Sequence, residues 1–216
     1  MNFSIGLRSP SDATALTLGD VCGLCYGIRG SLSSRVGVAS RDEETMLDSL
    51  KPTLYPFFGK FFEAMSAWYE KLRVGAAGDE LHHAVHDLIG GPEYGVSLNC
   101  GHYTGMDEWV NSLTYEGSKR TLPDGAYLQV DIIASNPAPV RTAICEDPVI
   151  VAGEGLREAL KAEYPEVFAR IEARRAAIRD VLGIQLHEDV LPISNLNAAM
   201  FPFMLNLEQV FALEEA

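Results

Sequence analysis

Long apolar runs are missing from this sequence: none approaches the ~18 residues that a membrane-spanning helix requires, so no membrane partner is expected. The opening residues, Met1 to Ser11, also lack the basic start and extended apolar stretch of a secretory signal. A cytoplasmic address is the default expectation. Basic residues are scarce, with 17 Lys and Arg against 30 Asp and Glu and a net charge of −13. A surface this acidic argues against nucleic acid as a partner, because phosphate binding draws on clustered Lys and Arg. The four cysteines are too few for a disulfide scaffold. Cys22 and Cys25 form a C-x-x-C, but no second pair accompanies it, and Cys100 and Cys145 stand alone. The pair sits in an extended stretch, where residues three apart point to opposite faces, so it does not suit one shared metal.

What is present is a 216-residue chain with a 47% apolar share, enough for one sizeable core. Residues 21–27 are expected as a strand, 28–30 as a turn and 31–39 as a returning strand. From Arg41 to Arg73 the pattern becomes helical, interrupted at Pro52 and Pro56. Its aromatic residues, such as Phe57, Phe61, Phe62 and Trp68, recur at helical spacing and belong to a core. A second helix is expected over 76–89, with Asp79 near its start, ended by Gly90-Gly91-Pro92. Beyond Val96 the texture turns to β, with strands expected at 103–115, 126–134 and 141–152 and a turn at Asn136-Pro137-Ala138-Pro139. One long helix, 156–182, closes at Gly183, and the apolar tail is expected to pack on the body. No repeat or linker divides the chain, so residues 1–216 are expected as a single domain of the α+β class.

Three places carry chemistry. Gly101-His102 heads a strand, Asp131 lies within the apolar run Tyr127 to Ile133, and Glu146-Asp147 lies within Ala143 to Val151. A carboxylate on an apolar strand is costly unless it is paired or metal-bound. Two acids and a histidine are suitable ligands for a divalent cation. A buried hydrogen-bonded network is the other reading, and the residues alone leave both open. His82 and His86 are four apart on a helix, but the zincin pattern H-E-x-x-H needs Glu where His83 stands. A solvated helix face is the expectation there.

The order of these pieces resembles the methionine aminopeptidase, prolidase and creatinase family. The resemblance spans about Leu16 to Leu156. It rests on Leu18-Gly19-Asp20 leading into Tyr26-Gly27, a hairpin ending in Ser34-Arg35, and Leu72-Arg73-Val74-Gly75 before a helix. It continues through Asn99-Cys100-Gly101-His102-Tyr103-Thr104-Gly105, then Asp124-Gly125, and closes with Glu146-Asp147-Pro148-Val149. It implies the pita-bread fold, a curved and mostly antiparallel sheet covered by helices, here incomplete at the N-terminus. It also implies two divalent metals held by Asp, Asp, His, Glu and Glu. On that pattern the histidine matches His102, the first glutamate falls on Asp131 and the last matches Glu146. The first aspartate falls on Cys25 and the second on Leu32, which has no donor at all.

The resemblance therefore implies a dismantled two-metal site. His102, Asp131 and Glu146 remain as a reduced site for no metal or one divalent ion (zinc, manganese or cobalt), with Cys25 as a possible extra thiolate. The function expected is a peptide- or protein-binding module. The alternative is a hydrolase of Xaa-Pro peptidase or creatinase type that uses one metal, or His102 as a metal-free acid–base group. A peptide or small-molecule ligand, a homodimer, or association with a missing N-terminal segment across an open sheet edge are the partners expected.

Overall fold

In the strand Ala126–Pro137, Leu128, Val130, Ile132 and Ala134 are buried, whereas Tyr127, Ile133 and Ser135 on the alternate positions are partly exposed. Its partner Val140–Val151 does the same, burying Ala143, Cys145, Val149 and Val151. Side chains alternate across a strand, so one face of this hairpin is apolar and the other carries Gln129, Asp131 and Glu146. The apolar face forms the core; the other face forms the site.

The computed structural model describes residues 2–5, 15–28, 31–137 and 140–214. We label the strands β1 (Asn2–Ile5), β2 (Val21–Ile28), β3 (Ser31–Val38), β4 (His102–Tyr103), β5 (Ala126–Pro137), β6 (Val140–Val151) and β7 (Val190–Pro192). The α-helices are α1 (Lys60–Lys71), α2 (Gly78–Ile89), α3 (Glu154–Glu163) and α4 (Pro165–Leu182). The strands form one antiparallel sheet in the order β1-β2-β3-β6-β5-β4, with β7 also paired to β6. Phe57, Phe61, Phe62, Met65 and Trp68 from α1 and the turn before it join Leu81, Val85 and Ile89 of α2 against the apolar face. Each such side chain taken from water contributes about 1.5–3 kcal/mol. No helix among the described residues is long and apolar enough to cross a membrane.

A buried polar network fixes β3 and β6 to the helical layer. Arg35 Nη2 donates to Asp147 Oδ2 at 2.8 Å, and the same oxygen accepts from Tyr69 OH at 3.0 Å and Ala198 N at 2.9 Å. Asn197 donates to Tyr69 OH and to the Pro148 carbonyl. Arg35 also donates to the Ala199 and Leu196 carbonyls, which ties the tail to the sheet. Asp147 is wholly buried, so this pairing offsets a large desolvation cost.

Several elements differ from the sequence reading. Residues 41–50 make turns rather than a helix, because Asp42 Oδ1 accepts the Thr45 N–H and Thr45 Oγ1 accepts the Arg41 N–H. Such local side-chain bonds compete with helical ones. The expected strand 103–115 shrinks to β4. After it the chain turns back through Gly105 and a 3-10 turn, Glu108–Val110, and Tyr103 N donates to the Asn111 carbonyl at 2.9 Å. The long helix expected over 156–182 is two, because Pro165 has no N–H for helical pairing and Tyr164 leaves helical geometry. β1 was not anticipated. It pairs with β2, so among the described residues the sheet extends one strand further than expected. Arg29, Gly30, Ala138 and Pro139, parts of two expected turns, lie outside the described residues. The tail packs as expected: Met204 and Leu205 donate to Val38 and Ser40, and Leu213 donates to Leu182.

Candidate metal centre

Sheet register assembles the site. Cys25 pairs with Ser34, Ser34 with Glu146, and Glu146 with Asp131, which makes one row across β2, β3, β6 and β5. His102 pairs with Gln129, two residues from Asp131 on the same face. Donor atoms of His102, Asp131 and Glu146 all lie within 4.8 Å of one another, and His102 Nε2 is 3.7 Å from Asp131 Oδ2. Three residues widely separated in sequence thus converge as expected.

The histidine is held in a ligand-ready form. Its Nδ1 is 3.0 Å from the Tyr103 carbonyl oxygen, which can only accept, so Nδ1 carries the proton. Nε2 then faces the Asp131 carboxylate. Anchoring the far ring nitrogen is how proteins orient a metal-bound imidazole. Gly101 sets up this strand. Its φ of 137° and the closeness of Trp68 Cζ2 and Gln129 O, 2.9 and 3.0 Å from where a Cβ would stand, leave room only for glycine. Ser112 and Thr114 hydroxyls hold its carbonyl at 2.6 and 2.8 Å.

The carboxylates are disfavoured as a charged pair. Burial pushes Asp131 up to about 6, opposed by His102 and reinforced by Glu108. Burial pushes Glu146 up to about 8, reinforced by the charges of Asp131, Glu108 and Asp147 and opposed by Arg35. Cys25 is also raised, by burial first and by Glu146 next.

These residues fit one divalent ion: a nitrogen donor and two carboxylates, close together and lacking positive charge between them. Cys25 stands beyond Ser34 in the row and outside the group of three. Leu32, in the adjoining row opposite Gly27, places an aliphatic side chain on the same face. Cys22, the other half of the C-x-x-C, is buried on the opposite face from Cys25.

A cleft of about 310 Å³ opens beside the cluster, lined by Leu32, His102, Thr104, Met106, Glu108 and Gln129, with Gly27 and Gly105. Gln129 Nε2 donates to the Leu32 carbonyl at 3.2 Å, and its buried Oε1 has no partner. Met106 is fully exposed at the rim, followed by the exposed Trp109 and Val110. Sequence reasoning missed Glu108. The only signal was an acid a few residues beyond His102, and its positive φ of 46° appears only in the fold. A larger cleft of about 550 Å³ lies on the helical side, between α4 and the Ser194–Ala199 segment, and contains no acid, histidine or cysteine.

No protein-family model matches the sequence, and no curated protein matches it. Solved structures do. The Xaa-Pro dipeptidase from Bacillus anthracis superposes with a TM-score of 0.53 at 19% identity, over 71% of this chain and 44% of that one. The prolidase from Thermococcus sibiricus gives 0.53 at 18% identity, over 69% and 40%. The dipeptidase PepE from Mycobacterium ulcerans gives 0.51 at 20% identity, over 68% and 39%. The chain therefore spans less than half the length of each of these enzymes. The antiparallel sheet, its helical cover and these superpositions give the chain the pita-bread fold of the Xaa-Pro dipeptidases and prolidases.

Proposed function

We propose that this chain is a peptide-binding module of the pita-bread fold that holds a single divalent ion at His102, Asp131 and Glu146 and has lost two-metal hydrolysis. One observation carries the reading: the three donors that remain converge, while Leu32 and Cys25 stand on the same sheet face in place of further carboxylates. A bound ion supplies a Lewis-acidic point for a ligand carbonyl or chain end. The chain's own residues do the rest. Gln129 Oε1 is free to accept a ligand N–H, and Glu108 offers a carboxylate to an amine. Leu32 and Met106 provide apolar walls, and the cleft is of the size that holds a small ligand.

A second reading, a hydrolase of Xaa-Pro peptidase or creatinase type, is favoured by the free Nε2 of His102. His102 lines the cleft with its Nδ1 held by the Tyr103 carbonyl, an arrangement that suits a general base.

Elemental analysis after exposure to manganese, zinc or cobalt tests the first reading, alongside calorimetric titration with proline-containing peptides. One ion on the sheet face, lost in His102→Ala and in Glu146→Gln, with peptide binding and no turnover, is the expected result. Turnover of those peptides that disappears in His102→Ala installs the second reading. Absence of any ion dependent on His102 removes the metal from both.

A further inference from the structure

We infer that His82, His86 and Cys100 form a second metal site, separate from the sheet face and suited to zinc or a similarly thiophilic ion. The sequence reading expects a solvated helix face here, and the three histidines differ in exposure. Only His83 is exposed, between Asp79 and Asp87, while His82 and His86 are half-buried on the flank of α2. Their rings stack with centroids 4.0 Å apart and planes 19° from parallel. Behind them lies Cys100, fully buried, and donor atoms of all three residues lie within 4.8 Å of one another.

The chemistry of this set differs from that of the first. Two imidazoles and a thiol select zinc, cobalt(II) or another borderline ion, whereas one imidazole with two carboxylates accepts harder ions such as manganese. Zinc held by nitrogen and sulfur needs its donors about 3.5 Å apart, so a small closure of two half-buried rings suffices. Burial and neighbouring histidines push His82 and His86 below the ordinary value. The Cys100 thiol donates a long, weak bond, 3.5 Å to the Leu81 carbonyl. Metal binding replaces its proton, so each ion bound releases one proton to solvent and leaves a thiolate–metal bond. The site then bears one net positive charge. Glu116, whose charge acts on His82, His83 and His86, would oppose that charge, and a water would complete the fourth position.

The site would bridge α2 to the segment Cys100-Gly101-His102. It would brace the strand that presents His102 without touching the ligand of the sheet-face site.

Cobalt(II) titration of the reduced, metal-free chain tests this, because a thiolate ligand gives a charge-transfer absorption that imidazole and carboxylate do not. The expected result is a band in wild type, saturating at one equivalent in Glu146→Gln, where the sheet-face site takes up no cobalt. It disappears in Cys100→Ser and in His86→Ala, and survives in Cys25→Ser and Glu146→Gln. His86 is half-buried, so His86→Ala keeps the test valid if Cys100→Ser fails to fold. Absence of a band in wild type, persistence in both Cys100→Ser and His86→Ala, or loss in Cys25→Ser would each overturn the proposal. None of these outcomes bears on manganese bound at Glu146, so the two sites stand or fall separately.

Discussion

Asp131 and Glu146 are direct cross-strand partners, carboxylate beside carboxylate on the face of the sheet turned away from the helices. Like charges placed opposite each other weaken a sheet. Here they are held by the register of a long hairpin whose other face builds the core.

The first consequence is a stability that falls as pH rises in the metal-free chain. Both groups are raised on folding, Asp131 from 3.8 to about 6 and Glu146 from 4.5 to about 8. Between the ordinary and the folded values the native state binds more protons than the unfolded chain, so the stabilisation is full at low pH and is lost as pH rises. The loss should run from about pH 4 to about pH 8 and then level off. In Glu146→Gln the fall should shrink by up to about 5 kcal/mol. Urea denaturation across that range checks it.

An ion at the sheet face reverses the penalty. With free manganese at about a hundred times its dissociation constant, the gain is about 2.7 kcal/mol. For a chain of this size that raises the melting temperature by about 5–10 °C. The rise should be absent in His102→Ala and Glu146→Gln, and scanning calorimetry at pH 8 with and without the ion decides it.

Gly101→Ala should weaken the site without removing a donor. The added methyl group meets Trp68 and the Gln129 carbonyl, at a φ that L-residues avoid. We expect a stability loss of about 1–3 kcal/mol. A loss of manganese affinity of at least about tenfold should accompany it as His102 shifts. Equal metal affinity in a destabilised variant would show that His102 does not depend on this backbone position.

Asp147→Ala should separate fold from site. It strands Arg35 in the interior and removes the acceptor for Tyr69 and Ala198. The expected cost is about 3–5 kcal/mol by urea denaturation. Metal affinity at the sheet face, measured under conditions where the variant remains folded, should be nearly unchanged.

Cys25→Asp combined with Leu32→Asp should raise manganese binding from one equivalent to two, since it returns carboxylates to the two positions where the resemblance expects them. A count that stays at one would mean that the β2–β3 hairpin no longer supports the two-metal geometry.

The candidate site was legible in the sequence because each donor lies within a short pattern: Gly101-His102 at a strand start, and single acids within alternating strands. The same alternation concealed the roles of the neighbours. Glu146-Asp147 reads as one acidic pair, yet Asp147 turns to the opposite face to meet Arg35 and Tyr69. Glu108 gave little warning because a loop positions it, and loops lack the periodicity that reveals helices and strands. Cys100 gave none. Its nearness to His82 and His86 depends on how α2 packs, which no local pattern encodes. The broken helix at Pro165 was legible and undervalued, since a proline inside a helical pattern is itself a boundary signal.

The neighbours Glu146 and Asp147 divide two tasks between adjacent positions of one strand. The carboxylate that anchors Arg35 and Tyr69 is sealed under the helices, and the candidate ligand beside it faces the other way. Mutations on the site face therefore test little of the architecture beneath. A sheet divided in this way can exchange the residues of its site face and remain a folded protein free to take up other work.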